Sequence, residues 1–77
     1  MEHKEDELYE IVHHDKIEFD YVNWKGNKGH RRAEIDEFYY GSTEYHPKPQ
    51  WLLSAFDLDK KEYRIFAMKD MSNVTLI

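Results

Sequence analysis

Apolar and polar residues alternate with a period of two along most of this chain, and breaks in the alternation divide it into short strands. From Lys16 to Asn23, Ile17, Phe19 and Tyr21 fall on one side and Glu18, Asp20 and Val22 on the other, which predicts a half-buried strand. The next stretch, WKGNKG at 24–29, holds two glycines and an asparagine able to take positive φ, so it predicts a hairpin turn. A return strand starts near His30. It carries Arg32, Glu34 and Asp36 on one face and Arg31, Ala33 and Ile35 on the other, and runs on toward Phe38, Tyr39 and Tyr40. A slip in the alternation around Glu37 allows a bulge or bend.

The segment GSTEYHPKPQ at 41–50 is a loop, because Pro47 and Pro49 would remove ladder donors from a central strand. WLLSAFDL follows as the most apolar strand. DKK at 59–61 turns the chain into EYRIFAM as its antiparallel partner, with Tyr63, Ile65 and Ala67 opposed to Arg64, Phe66 and Met68. A one-turn helix at 69–73 and a short strand at VTLI complete the set. Trp51, Phe56, Ile65 and Phe66 are expected in the core. Ahead of these elements, Leu8, Ile11 and Val12 form an apolar stripe in a run of acids, predicting a short N-terminal helix over 3–13; an early strand over Leu8–Val12 is the competing reading. Four or five short, bent antiparallel strands around one core favour a small closed barrel over an open sheet, since closure removes exposed edges. The expected fold is therefore mainly β, a small SH3-like or Sm-like barrel over 15–77 with an acidic helix or arm over 1–14.

Composition narrows the function. A chain of 77 residues has room for one domain and buries only about 60–65 % of its unfolded surface, so its core relies on a few large rings among two Trp, six Tyr and four Phe. Cysteine is absent, which excludes a disulfide framework, a thiolate nucleophile and a Cys-based zinc site. No apolar run approaches the roughly 20 residues that span a bilayer, and the opening MEHKEDEL is acidic where a signal peptide is basic and then apolar. A cytoplasmic location is expected. The net charge of −5 is concentrated in residues 1–20, where eight acids face two lysines, while residues 21–77 are nearly neutral. That balance argues against non-specific binding of long nucleic acid and leaves room for a local basic patch.

The residues from Ile17 to Val74 resemble a WYL domain, the small barrel of bacterial transcription regulators and defence-associated proteins. IEFDYVNWKGNKG is similar to that family's opening strand and turn, Arg32 (or Arg31 in the alternative register) to the arginine of its return strand, and DLDKKEYRIF, with Arg64 and Phe66, to its later strand pair. The naming tripeptide falls on Trp51, Leu52 and Leu53, with leucine in place of the tyrosine. After Phe66 this chain has Ala67, Met68, Lys69, Asp70 and Met71, so two ligand-facing arginines of the family are missing. The resemblance implies a basic patch that senses nucleic acid or nucleotide-like ligands. A stand-alone, acidic form is similar to accessory proteins of phages or mobile elements that bind a host protein or a signalling nucleotide.

Two functional expectations follow, both non-enzymatic and without a cofactor. In the first, Arg31, Arg32 and Arg64, with Lys69 and the ring of Trp24, hold a nucleotide or a short single strand, because guanidinium groups grip phosphate through paired, charge-assisted hydrogen bonds. In the second, the acidic segment with Glu5, Asp6 and Glu7, together with exposed Tyr45, docks on a host or regulatory protein. A homodimer is compatible with either. Asp36, Glu37 and His46 are a candidate carboxylate–histidine combination for catalysis, and no nucleophile or glycine-rich phosphate loop accompanies them. His13, His14, His30 and His46 have no metal-binding spacing.

Overall fold

The computed structural model describes residues 15–77, and there the period-two segments form five antiparallel strands. They are β1 (Lys16–Val22), β2 (Lys28–Gly41), β3 (Gln50–Asp57), β4 (Glu62–Ala67) and β5 (Met71–Leu76), with a 3-10 turn at Met68–Asp70 leading into β5. Across the sheet the order is β4-β3-β2-β1-β5. Among the described residues, no helix is long and apolar enough to cross a membrane.

β2 is the hinge of the structure. Its first half, from Lys28 to Glu34, pairs with β1, and its second half, from Ala33 to Gly41, pairs with β3. The register slips by one residue between Ile35 and Glu37. Such a bulge bends its strand and increases the local twist. The sheet therefore folds over, and β4 comes back across β1 although two strands separate them in the ladder.

The contact that results is aromatic. Phe66 of β4 lies edge-on to Phe19 and Tyr21 of β1, with ring centroids 5.1 and 5.0 Å away. Ile17, Ala33, Ile35, Leu53 and Ala55 complete the cluster. Ala33 and Ala55 are fully buried, and their small side chains leave the room that the rings fill. Tyr21 adds a polar contact at the end of this core, where its hydroxyl accepts a hydrogen bond from the Ala67 N–H at 2.8 Å. Burial pushes the Tyr21 phenol above its ordinary pKa. Leu52 and Leu53 point to opposite faces, yet both are fully buried, so this part of β3 is covered on both sides.

The expected SH3-like or Sm-like barrel is not formed. Among the described residues, β4 and β5 are the two edges of the sheet and no ladder joins them, so the sheet is open and folded over. At Ala67 the N–H that a closing strand would use is held by Tyr21. Strand number and spacing do not encode that last pairing. The expected N-terminal helix and acidic arm lie outside the described residues. Two core expectations are also corrected: Trp51 is 57 % exposed and Ile65 is 41 % exposed. Trp51 sits beyond the last β3–β4 pair, Leu52 with Ala67, and Ile65 points to the outer face of an edge strand. Phe66 is buried as expected, and Phe56 is half-buried.

The β3–β4 hairpin is fixed by a buried carboxylate. Asp57 Oδ1 accepts hydrogen bonds from the backbone N–H groups of Asp59 and Lys60, both at 2.9 Å, while Lys61 closes the turn in a left-handed conformation with φ 59°. This sets where β4 starts and which way its edge faces. The Tyr21 hydroxyl is the other determinant of β4's position. Tyr21→Phe keeps the ring but leaves the buried Ala67 N–H without an acceptor, and is expected to lower the unfolding free energy by about 1–3 kcal/mol in urea titrations. An unchanged urea midpoint would show that this bond does not hold β4 in place.

Candidate functional site

Because the sheet is open, a groove of about 830 Å³ runs between β4, the β1–β2 turn and the loop after β2. That is within the roughly 300–1,000 Å³ typical of binding pockets. Tyr21, Arg31 and Ser54 contribute from the strands, Trp24 and Tyr45 from the two loops, and residues 62–66 from β4.

Both loops are held by side-chain-to-backbone hydrogen bonds. In the β1–β2 turn, Asn23 Oδ1 accepts from the N–H groups of Lys25 at 3.0 Å and Asn27 at 2.9 Å. Gly26 has φ 87°, a conformation that favours glycine. In the second loop, Thr43 and His46 exchange backbone hydrogen bonds, and Thr43 Oγ1 also accepts from the His46 N–H at 3.1 Å. His46 is buried beneath this loop. The turns thereby present Trp24 and Tyr45 side by side, with ring centroids 5.4 Å apart and planes tilted by 31°. The rings are 58 % and 55 % exposed, and Lys25 Nζ lies 5.3 Å from the Trp24 ring.

The arginines divide between two faces. Neighbouring residues of a strand point in opposite directions, so Arg31 and Arg32 cannot share a surface. Arg31 lines the groove. Its guanidinium lies over Gly29, where an added Cβ would come within 2.5 Å of an Arg31 terminal nitrogen. One of its terminal N–H groups donates to the His30 carbonyl at 3.3 Å, and its buried Nε has no partner among the described residues. Arg64 also lines the groove and donates to Glu62 Oε2 at 3.0 Å. Arg32 is on the other face, paired with Asp59 at 3.4 Å, and Lys69 is exposed on the 3-10 turn outside the groove.

The expected patch of Arg31, Arg32, Arg64 and Lys69 is therefore not assembled, and the nucleotide or single-strand function built on it does not stand. The acidic docking module is corrected as well, because the barrel meant to mount it is an open sheet; Glu5, Asp6 and Glu7 lie outside the described residues. Trp24 and Tyr45, assigned to different roles from the sequence, meet in one place. Asp36, Glu37 and His46 do not share the groove: His46 lines it, whereas Asp36 and Glu37 are not among its lining residues. Sequence reasoning missed Tyr63 and Ile65 as groove residues. Their exposure depends on which face of β4 meets the core, and alternation alone leaves that choice open. No family model matches the chain, and no curated protein matches it. The WYL resemblance thus lacks support from either the comparison or the fold.

On the opposite face, His30 bridges two carboxylates. Its Nδ1 is 3.0 Å from Asp20 Oδ1 and its Nε2 is 3.0 Å from Glu18 Oε1, while Asn73 Nδ2 donates to Asp20 Oδ2 at 2.8 Å. The hydrogen bond to Asp20, then that to Glu18, raises the His30 pKa. Those from Asn73 and then His30 lower the Asp20 pKa. A raised imidazole pKa contributes stability that is complete below the ordinary value of 6.5 and is lost as pH rises through the raised value. The Asp20 contribution is present above 3.8 and lost as pH falls through the lowered value. Urea midpoints are expected to decline as pH rises from about 6 to about 9, and the decline should vanish in His30→Ala. The same slope in the variant would assign the effect to other groups.

Proposed function

We propose that this chain is a non-enzymatic binding module whose groove holds an extended segment of a partner protein between Trp24, Tyr45 and β4. The observation that carries this reading is the exposed Trp24–Tyr45 pair, held by two separately pinned loops. Trp and Tyr are enriched among the residues that carry binding energy at interfaces, and pinning them beforehand reduces the ordering cost of binding. A groove open to solvent along the edge of β4 suits an extended chain better than an enclosed small molecule. A cytoplasmic setting belongs to the same proposal and is supported by the cysteine-free composition.

A protein partner is favoured over a nucleotide by the lining itself. Lys25, Arg31 and Arg64 are set against Glu44 and Glu62, so the groove is amphipathic and only weakly cationic. Selection of displayed random 12-residue peptides against the intact chain is expected to enrich a family with a shared apolar position. Trp24→Ala and Tyr45→Ala should each reduce capture of those peptides at least 10-fold while leaving the thermal midpoint within a few degrees, since both rings are exposed. Enrichment of no peptide family, or equal capture by both variants, would refute the proposal.

A further inference from the structure

Alternate residues of an antiparallel edge strand aim their backbone groups toward the neighbouring strand and away from it. In β4 this phase is set at both ends. The Ala67 N–H bonds to the Tyr21 hydroxyl rather than to β3, and at the other end the Lys61 N–H bonds to the Asp57 carbonyl at 2.7 Å, closing the hairpin with Glu62 opposite Asp57. Glu62, Arg64 and Phe66 therefore bond to β3, while Tyr63, Ile65 and Ala67 aim outward. Ala67 donates to Tyr21, which leaves Tyr63 and Ile65 as the outward-facing residues with no strand beside them among the described residues.

That edge opens into the groove. Five consecutive residues, from Glu62 to Phe66, line it. Side chains of a strand alternate between faces, so an unbroken run of lining residues means that β4 presents its edge. The β3–β4 ladder has no bulge, and β4 contains no proline. These features keep an edge available for pairing.

We infer that the groove takes its peptide by strand addition, with the partner segment pairing antiparallel to β4 through the backbone of Tyr63 and Ile65. The inference rests on the reading of the groove as a peptide site and states how that peptide is held and what it carries. Residues of the added strand opposite Tyr63 and Ile65 share the outer face with those side chains, which are 72 % and 41 % exposed, and are apolar. Intervening residues point into the groove. There they meet the Trp24–Tyr45 rings and the two arginines, of which Arg64 already holds Glu62 while Arg31 has a buried Nε without an acceptor among the described residues. The complementary inward side chains are a ring and a carboxylate. The partner is thus an acidic–apolar alternating segment, recognised by backbone pairing for affinity and by side chains for specificity.

The probe is a capped heptapeptide of sequence TEVFVET, which reads the same in both directions and places its valines outward and its glutamates and phenylalanine inward. Titration into the labelled full chain should slow amide exchange at Tyr63 and Ile65 at least 10-fold at saturation. N-methylation of both valines should abolish binding, and TKVFVKT should bind at least 10-fold more weakly, with most of that difference lost in Arg31→Gln. Binding without protection of Tyr63 and Ile65, or undiminished by N-methylation, overturns strand addition while leaving the groove as a peptide site. Slow exchange of both amides in the free chain overturns it too. If the heptapeptide does not bind at millimolar concentration, yet displayed peptides are captured through Trp24, the inference alone fails. Failure of capture in both assays removes the peptide-site reading along with it.

Discussion

The placement of Phe66 against Phe19 and Tyr21 is the constraint on which the rest of this structure depends. A sheet this small has little apolar surface to bury, and a flat version would leave one face of every ring in water. Folding β4 back over β1 brings three rings together edge-on and encloses a core between the two halves of the sheet. The bulge after Ile35 makes the fold-back feasible, and the Tyr21 hydroxyl fixes its extent at Ala67. Each of these features serves the same contact.

The groove is the complement of that contact. Where the rings meet, Phe19, Tyr21 and Phe66 are buried between the two halves of the sheet. Beyond them, toward the β1–β2 turn and the start of β4, the halves diverge, and the space is lined by longer side chains. Arg31 marks the boundary: it follows the inward phase of Ala33 and Ile35 and stands opposite Phe19 in the β1–β2 ladder, and its guanidinium turns over Gly29, the residue opposite Tyr21. Full closure into a barrel would occupy the β4 edge. An open sheet leaves that edge beside two preset aromatic rings.

The opposite face has a different character. Glu18, Asp20, His30 and Arg32 form a solvated polar surface in which each charge has a near neighbour of opposite sign or a hydrogen-bond partner. Exposed pairs of this kind add little stability and respond to pH and salt. Their arrangement keeps the outer face polar across β1 and β2.

The local elements were legible in the sequence, because they depend on residues close together in the chain. Alternation from Ile17 to Tyr21, the glycines after Trp24, the prolines at 47 and 49 and the slip near Glu37 correctly located β1, the first turn, the loop after β2 and the bulge. Phe66 was also correctly placed in the core. The candidate site was legible only in pieces: Trp24, Arg31 and Arg64 were singled out together, but with Arg32 and Lys69 among them, and Tyr45 in a separate role. Strand alternation by itself separates Arg31 from Arg32. What it could not supply was which face turned inward, since that depends on the rings β1 meets across the fold. The Trp24–Tyr45 pairing, the exposure of Trp51 and Ile65, and the unclosed β4 edge likewise arise from contacts between segments distant in the chain. The sequence by itself determined the strands and turns, whose causes are local; only the tertiary structure decided the open sheet and its groove, because both follow from how the hinge in β2 brings the two halves together.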